Sequence, residues 1–192
     1  MNKTKCLHHT IWITLLLIIA QLSACSPTVV LPDLQLASQL TIQNIWDGIL
    51  PCGGEYIHPY VRTTRLNKTL AQFEGTVEYL YGEKKLERPI SVPLDRMKSF
   101  FEIMKKADIE NGEFQQMMCD PRVYDTIEFQ SGNNTIKFIG DCGGGPWEVR
   151  WSERSNVKYH VEREIPYQAL AILTSLIDEV GELNRDVCSI DP

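Results

Sequence analysis

The leader of the chain constrains it most, because it decides in which compartment the rest must fold. Lys3 and Lys5 precede an apolar run from Ile11 to Ala20, and small residues then lead to Cys25. The run is about half as long as the ~20 apolar residues of a transmembrane helix. A short basic segment followed by a run of this length predicts a secretory signal peptide. We therefore expect the rest of the chain to fold outside the cytoplasm.

The stretch Leu22-Ser23-Ala24-Cys25 resembles the lipobox of bacterial lipoproteins. The resemblance implies that a diacylglycerol is attached to the Cys25 thiol, that residues 1–24 are cleaved off, and that the new amino group is often acylated, with palmitate for example. Two or more acyl chains anchor a protein stably at ~0.8 kcal/mol per buried methylene. Ser26 is not the aspartate that retains lipoproteins at the inner membrane, so the resemblance implies the outer membrane in a host with two membranes. The alternative is an ordinary signal peptide with an accidental cysteine.

Length and charge limit the classes of partner. Cleavage leaves residues 25–192, a length typical of one domain. The leader takes two of the 19 lysines and arginines and none of the 25 aspartates and glutamates, which leaves a net charge of −8. A nucleic-acid partner needs a basic surface, so this balance argues against one. It also argues against docking onto anionic lipid through protein charge, so the acyl chains on Cys25 are expected to hold the protein at the membrane.

Four further cysteines follow the one that bears the lipid: Cys52, Cys119, Cys142 and Cys188. In an exported protein an even set favours two disulfides. Cys119–Cys142 is the favoured pair, because the two cysteines flank a predicted hairpin and Pro121 can fold the chain back to the Cα distance of ~7 Å that a disulfide needs. Cys52–Cys188 would then join the first turn to the C-terminal tail, and the two other connectivities stay open. A zinc site is the competing interpretation, but no Cys-x-x-Cys pair is present.

The first half of the mature chain predicts a tether and then strands. Residues 25–39 contain two prolines and no clear hydrophobic period, which predicts a poorly ordered, lipidated tether. Aromatic and β-branched residues, partly in alternation, predict strands at 40–46, 56–64, 73–81 and 86–92. Pro59 cannot donate a ladder hydrogen bond, so its strand is expected to lie at an edge or to carry a bulge.

Helical spacing of apolar residues predicts two amphipathic helices, each opened by a proline. The first begins at Pro93, and its apolar stripe is Leu94, Met97, Phe100, Phe101 and Met104. The second begins at Pro166 and is capped at Gly181, and its stripe is Tyr167, Leu170, Leu173, Leu176, Ile177 and Val180. The polar residues 108–122 between the first helix and the next strand predict a solvated loop.

Two hairpins are predicted between the helices. In the first, 124–130 pairs with 135–140, and Gln130 opposite Thr135 places the apolar residues of both strands on one side. In the second, 147–152 pairs with 156–165. The fold class expected for residues 40–192 is therefore a single α+β domain, a mostly antiparallel sheet with both helices packed on one face. A sheet split into two packed layers is the alternative.

Three groups of residues have types that could carry chemistry. Cys52 with His58 has the types of a nucleophile and a base, but an attacking thiolate must be unpaired, so a half-cystine in a turn is favoured. Glycines 143–145 lack the Gly-Lys-Ser/Thr continuation of a phosphate loop and predict a turn. One strand face that is predicted to be solvated, rather than to bind metal, carries His160, Glu162 and Glu164. The sequence thus predicts no catalytic residue, no metal site and no cofactor.

The order of elements carries a family resemblance. A cysteine-bearing first turn precedes a strand with Gly75-Thr76-Val77, a helix, a hairpin, and a closing helix ending Leu176-Ile177-Asp178. This layout resembles small exported bacterial domains of unknown function that are often lipoproteins. It is also similar to the emfourin family, proteinaceous inhibitors of thermolysin-type proteases. The likeness covers Leu40 to Val180, carries no signature residue, and is interrupted by the insertion Gly143 to Ile165.

We therefore expect a non-enzymatic, lipid-anchored binding domain of the cell envelope. Its expected partners are the membrane, through the acyl chains on Cys25, and an unknown exported protein. The resemblance to emfourins implies a tethered protease inhibitor as the alternative. A cysteine-dependent hydrolase built on Cys52 and His58 is the third interpretation.

Overall fold

The computed structural model describes residues 29–46, 60–81, 83–112, 124–141 and 144–181. Their strands form one antiparallel sheet: β1 Gln39–Trp46, β2 Tyr60–Lys68, β3 Gln72–Tyr81, β4 Lys84–Pro93, β5 Ile109–Asn111, β6 Tyr124–Ser131, β7 Asn134–Asp141, β8 Trp147–Trp151 and β9 Tyr159–Val161. The order across the sheet is β4-β3-β2-β1-β6-β7-β8-β9-β5. In the same described ranges two α-helices accompany the sheet, α1 Lys98–Met104 and α2 Glu164–Gly181. An α+β fold with a mostly antiparallel sheet is therefore confirmed.

The hairpin β6–β7 has the register that its apolar alternation predicts. Gln130 pairs with Thr135 and Phe129 with Ile136, so the two apolar residues lie side by side on one face. The two-residue loop begins at Gly132, whose φ of 58° lies in the region that glycine adopts without steric strain. Local pattern and turn chemistry together specify this hairpin.

The strand β2 lies inside the sheet and not at its edge. It pairs with β1 on one side and with β3 on the other, so the first of the two alternatives, an edge position, is wrong, and the second, a bulge at Pro59, stays a prediction. Pro59 itself lies outside the described residues. Among the described strands, the edge in this half is β4, which has β3 as its one partner there and carries Pro89, a residue that an edge strand tolerates.

The helix α1 begins later than its proline suggests. Pro93 is the last residue of β4 and pairs with Gln72, so the prediction that it opens the helix is wrong. Turn hydrogen bonds of the i to i−3 type, such as Met97 N–H to the Leu94 carbonyl, lead from the strand into the helix. The predicted apolar stripe is correct, since Met97, Phe100, Phe101 and Met104 are all buried and Leu94 is partly buried.

The helix α2 begins at Glu164, two residues before the predicted start at Pro166. Pro166 thus stands in the first turn, where no intrahelical partner awaits its missing N–H. Four residues of the predicted stripe are buried, namely Leu170, Leu173, Leu176 and Ile177, whereas Tyr167 is half-exposed. Gly181 is the last helical residue described.

Two segments predicted to be solvated contribute to the core. Within the predicted tether, the Val29 N–H donates to the Ile109 carbonyl at 3.2 Å, and Leu34 and Ala37 are buried. Poor order is therefore wrong for residues 29–38. Within the predicted loop 108–122, residues Ile109–Asn111 form β5 and pair with β9, and Ile109 is fully buried. Both segments depend on contacts with residues that are distant in sequence.

The two faces of the sheet differ in chemistry. On the core face of β1, Leu40 and Ile42 are buried, and the same face continues into the aromatic cluster of β6, β7 and α1. The opposite face carries charged pairs such as Lys85 with Glu78 at 2.8 Å and Lys137 with Glu128 at 3.3 Å. Exposed pairs of this kind contribute little to stability. The apolar face, and not the charged one, holds the fold together.

Replacing Phe100 with alanine is expected to lower the free energy of unfolding by about 3–5 kcal/mol. The ring is fully buried and lies 5.1 Å from the ring of Phe101 and 5.9 Å from that of Phe129, so its removal leaves a cavity. Lys98→Ala on the exposed face of the same helix should change stability by less than about 0.5 kcal/mol. Denaturant unfolding measures both variants, and equal midpoints would contradict the burial of Phe100.

Candidate functional site

A cleft of about 630 Å³ lies between α2 and the strands β1 and β6. The polar residues that line it all belong to these three elements and are Asn44, Asp125, Tyr167, Thr174, Ser175, Asp178 and Glu179. Asn44 and Asp125 are register partners on neighbouring strands, so the sheet itself places them side by side. A concave surface with a few converging polar groups is the usual form of a binding site.

A buried ion pair fixes α2 beside the sheet. The Arg62 Nη2 donates to Asp178 Oδ1 at 2.6 Å, and the side chain of Arg62 is only 6% exposed. The guanidinium also lies 5.5 Å from the centroid of the Tyr79 ring. Its Nε has no hydrogen-bond partner among the described residues. Losing Asp178 would leave a buried charge unpaired, which makes this carboxylate a structural element of the cleft wall.

The surroundings of Asp125 in the cleft change the pKa of its carboxyl group. Its Oδ1 accepts a hydrogen bond from the Asn44 Nδ2 at 2.7 Å. Burial raises the pKa of Asp125 above its ordinary value, while the Asn44 hydrogen bond and the charge of Arg163 oppose the rise. A carboxyl group in this setting can accept a hydrogen bond or hold a cationic group at the mouth of the cleft.

Asp125→Asn is expected to raise the stability of the protein at neutral pH. The folded state binds the Asp125 proton more tightly than the unfolded chain does, because its pKa is raised by burial. The protonated carboxyl group therefore stabilises the fold fully below the unfolded pKa of ~3.9, and this contribution is lost as the pH rises through the folded pKa. Asparagine keeps an oxygen for Asn44 and carries no charge. The gain in unfolding free energy at pH 7 should therefore shrink towards pH 4.

The matched control for this measurement is Asp95→Asn, since Asp95 is exposed. Urea unfolding at several pH values compares the two variants with the wild type. Parallel stability curves for wild type and Asp125→Asn would contradict the role given to burial at Asp125.

Most residues that the sequence singled out lie outside the described ranges. These are Cys25, Cys52, His58, Cys119, Cys142 and Cys188. Among the described ones, Gly144 has a φ of 74° and lies close to Arg163, as expected of a turn glycine. His160 faces Glu110 of β5 at 3.4 Å, and Glu162 and Glu164 are exposed. Within the described residues, no three histidine, cysteine or acidic side chains come together in a way that could hold a metal ion.

The cleft residues escaped the sequence interpretation, although a signal for them exists. Asn44 has the same strand parity as Leu40 and Ile42, so alternation alone places a polar side chain on the core face. Arg62 has the parity of the buried Leu66 in the same way. A polar residue that alternates with core-facing apolar residues of the same strand is the pattern that would have indicated these positions.

Comparison with protein families, with curated proteins and with solved structures found no match to this chain. Within the part of the chain that the structure describes, no helix is long and apolar enough to cross a membrane.

Proposed function

We propose that the protein is a lipid-anchored domain of the cell envelope that binds an exported protein partner without catalysing a reaction. The lipobox-like stretch ending at Cys25 supports the anchor. The cleft beside α2 carries the proposal of binding, because polar side chains of the helix and of two sheet strands converge there. In a host with two membranes the anchor lies in the outer membrane, and the net charge speaks against a nucleic-acid partner.

We also propose that both helices cover the same face of the sheet. The Phe101 ring of α1 lies 6.1 Å from the Phe73 ring of β3, and Asp178 of α2 bonds Arg62. Arg62 pairs with Tyr79, which has the strand parity of Phe73. These contacts support one covered face and leave the other for solvent or a partner.

The polar groups of the cleft suit a protein surface better than a small apolar ligand. Thr174 and Ser175 present hydroxyls on α2, and Asp125 offers a carboxyl group from the sheet. Such groups form the hydrogen bonds that give an interface its specificity. A peptide segment with donors or a basic side chain would be complementary to them.

Affinity capture with the tagged, lipidated protein from detergent-solubilised membranes tests the proposal. Wild type should retain an exported protein, and Ser175→Arg should lose it, because the long side chain fills the cleft. Gln168→Arg is the matched control, since Gln168 is exposed on α2 and does not line the cleft. Equal recovery with both arginine variants would place the binding surface elsewhere, and no specific recovery at all would contradict a binding function.

A further inference from the structure

Among the described residues, three large apolar side chains are far more exposed than the rest, and two of these three lie near the start of the folded chain. Val30 is 82% exposed, Leu36 70% and Leu70 103%, whereas no other exceeds 50%. Val30 and Leu36 belong to the segment 29–38, which leads directly from the proposed lipid attachment site. Single exposed apolar residues are common, but this asymmetry calls for a cause.

The turn that carries Leu70 is fastened to the same segment. The Lys68 Nζ donates to the Gln35 carbonyl, and the Lys68 N–H donates to the Ser38 carbonyl at 2.8 Å. Leu70 stands two residues beyond Lys68, at the tip between β2 and β3. The turn therefore adjoins the end of the segment next to Leu36. We name the exposed apolar residues of the segment and the turn the anchor surface and define it by Val30, Leu36 and Leu70.

The length of chain between the lipid and the fold keeps this surface at the membrane. Only four peptide steps separate Cys25 from Val29, which the Ile109 hydrogen bond joins to the sheet. An extended chain of that length spans roughly 14 Å. A domain so closely tethered must present the region around Val29 to the lipid headgroups.

We propose that the anchor surface docks onto the lipid bilayer and inserts its apolar side chains at the boundary between headgroups and acyl chains. Interfacial elements of proteins bury their apolar residues by ~5–10 Å in this region. This proposal rests on the proposed lipid anchor and adds a defined orientation, with Leu70 at the membrane and the far end of the β2–β3 hairpin away from it.

Charge plays a minor part in this docking. Four lysines and five acidic residues line the three grooves that flank the segment, so the local net charge is close to zero. The distinctive property of this surface is therefore its apolar exposure and not its charge. Docking should consequently be the same on neutral vesicles as on vesicles with anionic lipid.

Tryptophan probes in the full, lipidated protein test the orientation. Leu70→Trp and Leu36→Trp introduce probes in the anchor surface, and their exposure means that the fold should tolerate them. Leu80→Trp is the matched control. Leu80 is 38% exposed and lies on β3 eight residues beyond Gln72, a distance of about 26 Å at ~3.3 Å per residue. Each variant is reconstituted into phosphatidylcholine vesicles whose acyl chains carry bromine near the headgroup, and wild-type emission is subtracted.

We expect the Leu70→Trp and Leu36→Trp emission to shift to shorter wavelength and to be quenched by brominated lipid, and the Leu80→Trp emission to remain unchanged. Protein that floats with the vesicles but shows no quenching of either anchor-surface probe would overturn the docking and leave the lipid anchor intact. Protein that fails to float would instead remove the anchor on which both proposals rest. Quenching of the Leu80→Trp probe to the same extent would overturn the orientation. Blue-shifted emission with cross-linking between two copies and no lipid quenching would assign the surface to a dimer and overturn membrane docking.

Discussion

Cys25→Ser is expected to move the protein from the membrane fraction to the soluble fraction. The thiol is the acceptor of the acyl chains, and these chains supply ~0.8 kcal/mol per buried methylene. A serine hydroxyl offers no thioether linkage, so the variant keeps only the contacts of the anchor surface. The measurement is membrane fractionation together with incorporation of radiolabelled palmitate.

Cys6→Ser is the matched control for that experiment, because Cys6 lies in the predicted leader and its loss removes a thiol without removing the acceptor. This control should stay in the membrane fraction and incorporate the label as wild type does. Equal palmitate incorporation by wild type and Cys25→Ser would contradict lipidation at Cys25. The apolar anchor surface alone is not expected to hold the variant, since it presents only three exposed large side chains.

Local sequence signals predict the elements whose stabilising contacts are local. The β6–β7 hairpin combines apolar alternation with a glycine-containing loop, and its register of Gln130 opposite Thr135 follows from these features alone. The apolar stripe of α1 is equally visible, because Phe100 and Met104 recur at helical spacing. The structure confirms the predicted register of this hairpin and the predicted apolar stripe of this helix.

Elements that are stabilised by contacts with residues distant in the sequence cannot be predicted from the local sequence pattern. Ile109–Asn111 is a strand only because β9 offers it a partner, and three residues are too few to show a period. Leu34 and Ala37 look like parts of a proline-containing tether, yet they are buried against the core. The local pattern likewise does not predict that β1 lies between β2 and β6. This strand order places Arg62, Asn44 and Asp125 on three adjoining strands.

A glycine in β3 illustrates the same limit. A Cβ at position 75 would lie 1.8 Å from the Arg65 carbonyl oxygen of the neighbouring strand, so no larger residue fits there without movement of the backbone. The sequence shows only that Gly75 interrupts a strand. The close approach of the backbone of β2 is the physical reason for it.

Removing Cys52 and Cys188 together is expected to lower the stability more than removing the other pair of cysteines. The favoured connectivity joins these two cysteines, and their bridge would close a loop of well over 100 residues. In the chain-entropy model a loop on the order of 100 residues is worth ~4–5 kcal/mol. A loss of that size is a large share of the ~5–15 kcal/mol by which a typical domain is stable.

Described residues that flank three of the cysteine-bearing segments lie at one end of the sheet. Trp46 of β1 pairs with Tyr60 of β2, and Tyr124 of β6 pairs with Asp141 of β7 and with Ile45 of β1. The segments that contain Cys52, Cys119 and Cys142 all join the sheet at these residues. The chain leaves α2 towards Cys188 three residues after Asp178, whose partner Arg62 lies two residues into β2.

Peptide mapping without reductant and denaturant unfolding decide the connectivity together. Cys52→Ser with Cys188→Ser should lower the unfolding free energy more than Cys119→Ser with Cys142→Ser, because the shorter loop of the second pair is worth roughly 3 kcal/mol. A mapped Cys119–Cys142 peptide agrees with the Asp141–Tyr124 register pair, which brings the two flanking strand ends together. A Cys52–Cys119 or Cys52–Cys142 peptide would reverse the assignment, and four free thiols in the exported protein would remove the bridges altogether.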